Sequence, residues 1–465
     1  MNAVLSCSDR TNQMTRRMST QSPVTGNPDA LLSRELGVRQ FAANIFNYTV
    51  GSGIFLLPAT AVIALGTAAP LAYVACAIVM ALVVLCFAEN GSRVAATGGS
   101  YAYVETAMGP MAGFVAGCLV FTTGLFAASG IVNGFVLSVL TLFSVTASVW
   151  LVKVLILALI AALVAINMRG VRRGARLLEA ITVIKLLPLV LFVVIGAFFV
   201  EPAHLAWTDV PDISTVLGSA GIMIFAFSGI EGATVPSGEV RNTSRTVPLA
   251  ILLALGGVTA LYIAIQFVAL GIMGLDLAQT GRTPLAAAAG AALGPSARSI
   301  MIGAAVVSMF GYLSANMLSE PRGLFAMSRD GFLPARLKQV HPIFRTPNVA
   351  IGIYGILVAT FALVGTFEWL TRFSNLAALS LYFLCALSTL RLRRLDVRSD
   401  GEPFVIPGGP LVPVAACIAV LWLGFETVRN QAEGGITQLY AMLITLVLIF
   451  ALYGLRQSRR RARAA

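Results

Sequence analysis

The chain has 465 residues, 58% hydrophobic and 11% charged, and a mean hydropathy of +0.87. That apolar share exceeds what water-soluble domains carry and excludes them as a class. Six cysteines without a C-x-x-C pair and two isolated histidines leave no metal cluster; no G-x-x-x-x-G-K-[ST] marks nucleotide-driven pumping.

A bilayer core of about 30 Å needs roughly 20 apolar residues as a helix. Twelve such stretches follow in order: 38–63, 70–89, 112–140, 148–168, 179–200, 214–236, 247–274, 297–320, 349–368, 373–391, 409–428 and 436–455. They are apolar throughout and too long for barrel strands, so the predicted fold class is an all-α polytopic membrane protein. Residues 1–37 are polar and rich in Ser, Thr and Pro, without the short apolar core of a signal peptide. They are predicted to be a disordered tail.

Positive charge orients the spans. With the N-terminus inside, 26 of the 32 Lys and Arg residues fall in cytoplasmic segments, so both termini are predicted to be cytoplasmic. The +12 net charge is then topological bias. The basic 456–465 segment reads as a solvated tail or a lipid-headgroup contact, not a nucleic-acid arm.

Two spans are interrupted. "VGSGIF" (50–55) places Gly51, Ser52 and Gly53 in the first, and "FAFSGIEGAT" (225–234) places Ser228, Gly229 and Gly232 in the sixth. Unwound backbone at membrane depth is tolerated only where it is buried or lines a cavity. If spans 1–5 and 6–10 form repeats, five being odd, the first and sixth run in opposite directions. Matched breaks in such a pair point to a transporter's midplane site.

These residues resemble a family. "GSGIFLLPA", "FAFSGIEGATVPSGEVRNTSRTVPLAI", "SEPRGLFAMSRDGFLP" and "PFVIPGGPLVP" are together similar to the amino acid/polyamine/organocation (APC) superfamily over about residues 36–455. The resemblance implies a leucine-transporter-type fold: a five-helix repeat at 38–200, an inverted one at 201–392, two further helices at 393–455, and alternating access around a central site.

Free amides of Ser52, Gly53 and Ile54, opening a half-helix, suit a carboxylate. Carbonyls left around Thr49 and Val50 and around Phe225 and Ser228 suit an ammonium group, and Gly51 and Gly229 at the breaks are expected among the substrate-binding residues. By the resemblance, Ser52 and Gly53 would hold a substrate carboxylate, the carbonyls of Thr49, Phe225 and Ser228 its amine, and Phe225 would gate the site. Ala128 and Asn316 stand where an arginine-exchanging member has a polar residue and an aromatic. With no unpaired acid foreseen near that pocket, a neutral or apolar amino acid is the first expectation.

Lys185 is the single basic residue left inside a span. Such a charge costs roughly 2.5–3.5 kcal/mol on insertion scales and usually has a role or snorkels. By the resemblance it would replace a sodium ion beside spans 1, 5 and 8 and couple transport to protons. Glu231 is expected either to cap the second break or to take part in gating. Glu89 reads as a partner of loop arginines, and Glu239, Arg241 and Arg245 as an intracellular clamp or surface ion pairs.

The sequence thus predicts a secondary amino acid transporter in a plasma membrane, or an inner membrane if bacterial, that uses no cofactor or metal. Proton symport leads; the alternatives are exchange of amino acids or their amines, and a receptor that binds without transport. An enzyme would need a nucleophile with its base at membrane depth, and the sequence shows none.

Overall fold

The computed structural model describes residues 36–464 except 97, 170–173, 208–209, 236, 238–239, 282, 345, 399–400 and 430–434. Most of the expected N-terminal tail and Glu239 therefore lie outside the described residues. Within them all regular structure is helical, and one isolated bridge joins Leu36 to Val240.

The first expected span is three pieces: α1 (Val38–Thr49), α2 (Gly53–Leu56) and α3 (Pro58–Leu65). The bend between Val38–Leu56 and Pro58–Ala68 is 56°. Pro58 lacks the amide that would continue the helix, so a new helix starts on it. α4 (Pro70–Arg93), α6 (Pro110–Leu142), α7 (Val149–Met168) and α8 (Gly174–Gly196) follow. Between α4 and α6 lies α5 (Ser100–Met108), which hydropathy does not reveal; Gly99, at φ +55°, turns the chain into it.

The sixth span is divided into α9 (Ile213–Phe227) and α10 (Ile230–Ala233). After α11 (Thr243–Met273) comes a second unforeseen helix, α12 (Pro284–Leu293), then α13 (Pro295–Arg329). α13 runs nine residues beyond the expected end of its span, with Pro321 inside it. α14 (Asn348–Val364) is an apolar helix of 17 residues. Thr366 caps the next helix, α15 (Phe367–Arg394), by accepting from Trp369 N. α16 (Leu411–Arg429) and α17 (Gly435–Ala464) end the chain, α17 remaining helical through the basic residues expected as a tail.

Ten helices among the described residues are long and apolar enough to cross a membrane, eleven with the bent first pair. α6 and α15 are innermost, with 67% and 72% of their apolar windows buried, while α7 and α17 bury only 17% each. α15 and α13 pack along α6, and α11 packs along α4 and α1, so the broken helices lie among inner helices.

One end of the bundle is tied by ions. Glu89, fully buried, accepts from Arg93 Nε at 3.0 Å, from Arg393 Nε and Nη2 at 2.7 and 2.6 Å, and from Ile406 N at 3.0 Å. Its partners are helix-end arginines of α4 and α15 rather than loop arginines. Four donors on one carboxylate offset the cost of burying it.

Gly229 has φ +121°, and a β-carbon there would lie 2.7 Å from Tyr48 O; one at Gly256 would meet nothing within 4 Å. Gly229→Ala is expected to cost about 1–3 kcal/mol and lower the melting temperature in detergent. Gly256→Ala, measured alongside, should show no loss.

Candidate functional site

The first break begins where α1 ends. Val50 N still bonds Phe46 O at 2.8 Å and Gly51 N turns back to Thr49 O at 2.8 Å, after which helical bonding lapses until Phe55 N reaches Ser52 O at 3.1 Å. Among the described residues the amides of Ser52, Gly53 and Ile54 therefore have no acceptor. Ser52 Oγ, buried beside them, has none either. Four polar groups point into one buried region without a protein partner.

The second break follows Phe227. Ser228 is extended at ψ 160°, and Gly229 takes the left-handed turn that only glycine adopts cheaply. Ser228 Oγ donates to Phe225 O at 3.0 Å. Glu231 Oε2 accepts from Gly229 N at 3.0 Å and from Tyr382 OH at 2.9 Å. Glu231 thus has the geometry of a cap on this break, steadied by a tyrosine of α15.

The two breaks touch. A β-carbon at Gly53 would lie 2.6 Å from Ala226 Cα. Tyr262 of α11, fully buried, points its hydroxyl at Thr49 O and Ala226 O, 3.1 Å from each, and so joins one carbonyl of each break.

Other donors hold the end of α1. Lys185 on α8 is fully buried, and its Nζ donates to Asn47 O and Val50 O at 2.7 Å each. Ser308 Oγ on α13 lies 3.2 Å from both Val50 O and Gly51 O. The ammonium stands at the negative end of the α1 dipole, where a cation is favoured. It does not snorkel. Of the carbonyls expected for an amine, Thr49 O and Phe225 O already have donors, while Ser228 O has none among the described residues.

Towards α6 the walls are mixed. Phe225 meets Phe367 edge-on, with centroids 5.8 Å apart. Asn316 Nδ2 donates to Gly124 O at 3.3 Å, and its Oδ1 accepts from Tyr354 OH. Ala128, buried, lies one turn along α6 from Gly124. In the loop after α10, Arg241 N bonds Leu36 O at 3.0 Å.

Four residues of this region escape the sequence reading. Tyr262, Ser308 and Tyr382 sit in apolar stretches, where a lone hydroxyl gives no pattern. Glu320 lies at the boundary drawn for its span, and only the continuation of α13 to Arg329 makes it an intrahelical carboxylate.

Tyr262→Phe removes one donor from Ala226 O and one of the two donors, with Gly51 N, from Thr49 O. It is expected to cost about 1–3 kcal/mol, read as a lower melting temperature in detergent, whereas a wild-type value would remove Tyr262 as the tie between the breaks.

The amino acid permease family matches residues 36–452. The chain is 27% identical to the methylthioribose transporter of Bacillus subtilis (strain 168), over 81% of this chain and 85% of that protein. Branched-chain amino acid permease BcaP of the same organism is 24% identical, over 92% and 94%. Serine/threonine exchanger SteT, also of B. subtilis, is 26% identical, over 92% and 98%. With the match running from the start of α1 into α17, and with homologues that are permeases of this kind, the chain belongs to the amino acid permease family of the APC superfamily.

Proposed function

We propose that this protein carries an amino acid across a cytoplasmic membrane by alternating access. Five-helix repeats at 38–200 and 201–392, inverted with respect to each other, would move around the two breaks, with 393–455 as two further spans and both termini cytoplasmic. One observation carries the reading: the unpaired amides of Ser52, Gly53 and Ile54, with the buried Ser52 hydroxyl, face a second break whose Ser228 carbonyl is also unpaired.

A zwitterion is the ligand such a pair of breaks accepts. Its carboxylate takes the amides at the start of the half-helix, and its ammonium takes carbonyls across the gap. Gly53 and Gly229 bring the two breaks' backbones close enough for this, and Phe225 closes the side. The neutral or apolar side chain expected from the sequence rests on the absence of an acid near Asn316. Glu320 stands one turn from Asn316 on α13 and is the acid to weigh against that expectation.

Lys185 supplies the coupling in this reading. While charged it holds Asn47 O and Val50 O; giving up its proton weakens that hold and frees α1 to move against α8 and α13. Proton symport follows. Exchange is the second reading, favoured by the 26% identity to a protein named as an exchanger over 92% of the chain. A receptor would bind without accumulating anything.

Purified protein in liposomes is expected to accumulate labelled amino acid when a pH gradient is imposed. Uptake that needs preloaded amino acid and ignores pH would establish exchange instead, and binding without uptake a receptor. Lys185→Ala should keep binding and lose the response to pH; a wild-type pH dependence in that variant would sink the coupling role. Ser52→Leu fills the carboxylate seat and should abolish ligand-induced thermal stabilisation, so a variant stabilised like the wild type would refute the site.

A further inference from the structure

Glu320 lies on α13, nine residues before its end, and no basic side chain among the described residues pairs with it. The residue is buried, with 9% of its surface exposed, and no hydrogen bond or ion pair reaches its carboxylate from the described residues. Arg322, two residues on, is exposed and donates to Leu318 O. Lys185 is committed to the carbonyls of α1. Glu231, the acid of the second break, has its Oε2 engaged by Gly229 N and Tyr382 OH. A carboxylate in such surroundings costs several kcal/mol to keep charged unless it holds a proton or meets a cation.

Its position fits the side-chain end of the site. Glu320 is one turn beyond Asn316 on the same face of α13, about 6 Å along the axis. Both side chains reach the same residue of α6: Asn316 Nδ2 bonds Gly124 O at 3.3 Å, and a β-carbon at Gly124 would collide with Glu320 Oε1. The glycine makes the space in which the carboxylate sits.

The other neighbours are aromatic. Tyr48 OH bonds Ser319 Oγ, next to Glu320 in the chain, and Tyr354 OH donates to Asn316 Oδ1, one turn away on α13. Tyr48 and Tyr312 meet edge-on with centroids 6.4 Å apart. A carboxylate among aromatic rings suits an organic cation, which gains both an ion pair and the negative ring faces. An uncharged side chain would leave the acid as unpaired as before.

We propose that Glu320, with Gly124 and the surrounding tyrosines, forms a subsite between α6 and α13 for the cationic side chain of a transported amino acid, an ammonium or guanidinium group. This rests on the carrier reading above. Backbone at the two breaks takes the α-carboxylate and α-ammonium, and Glu320 the far end of the side chain.

L-Lysine and L-norleucine separate the two ideas, because they share a carbon skeleton and differ in the terminal charge. Thermal stabilisation and liposome uptake of the full chain are expected to favour lysine and arginine over norleucine. Glu320→Gln should reduce the ratio of lysine to norleucine affinity by about 10–100-fold, the worth of one charge-assisted bond. Gly124→Ala, which displaces the carboxylate without removing it, should lower the same ratio and serves where the glutamine variant does not fold. Norleucine binding and uptake without lysine or arginine would overturn the subsite and leave the carrier intact, as would an unchanged ratio in a folded variant. No binding by any amino acid would overturn both.

Discussion

A backbone amide or carbonyl inside a bilayer has no water to bond, and leaving it unpaired in an apolar medium costs roughly 2–7 kcal/mol. Helices avoid this cost by pairing every group internally, so a protein that breaks two of them at membrane depth must find donors and acceptors elsewhere. The donors here come from three other helices: Lys185 from α8, Ser308 from α13 and Tyr262 from α11 converge on the last carbonyls of α1. At the second break the exposed Gly229 amide is met by Glu231, which Tyr382 of α15 holds in turn. The inner helices are thus arranged around unwound backbone.

What this accounting leaves over defines the site. Carbonyls at the end of α1 are nearly all claimed by protein, whereas the amides that open α2 are not. In the proposed site a ligand would meet donors at the first break and the Ser228 carbonyl at the second. The breaks lie close together, with Gly53 against Ala226 and Gly229 against Tyr48, so the proposed seat for a charged head is a small one. Small residues set this geometry; the chemistry is main-chain.

The breaks were legible because Gly-Ser-Gly and Ser-Gly inside apolar runs are anomalies in hydropathy and helix propensity alike. Lys185 was legible for the same reason, a charge where lipid tolerates few. Tyr262, Ser308 and Tyr382 were not, since a hydroxyl in a membrane helix is ordinary and only three-dimensional placement shows which carbonyl it meets. Glu320 was hidden by a boundary: the apolar stretch ends at 320, yet α13 continues to Arg329 with Pro321 inside it. A proline within a membrane helix can be accommodated when neighbours re-satisfy the freed backbone. α5 and α12 escaped because they are 9 and 10 residues long, below the window in which hydropathy speaks. The span count differs for a related reason. The first span is bent by 56° and α14 has only 17 residues, so continuous hydropathy and continuous helix diverge where the chain turns.

The ties on α1 also bear on how a carrier built this way would move. A helix held by backbone packing alone slides at little gain or loss, because lipid tails are as apolar as its side chains. α1 is held instead by discrete polar bonds at one end, two of them from a single ammonium. The two from the ammonium are strengthened by its charge in a low-dielectric interior and weaken together if the charge is lost. Two positions of α1, one bonded and one released, then differ by a countable set of contacts rather than by a gradual change in packing. A substrate whose carboxylate takes the amides of Ser52 to Ile54 would act on the turn whose Val50 carbonyl Lys185 holds. In the proposed cycle, ligand and proton are therefore linked through the last turn of one helix, without any need for a longer path through the bundle.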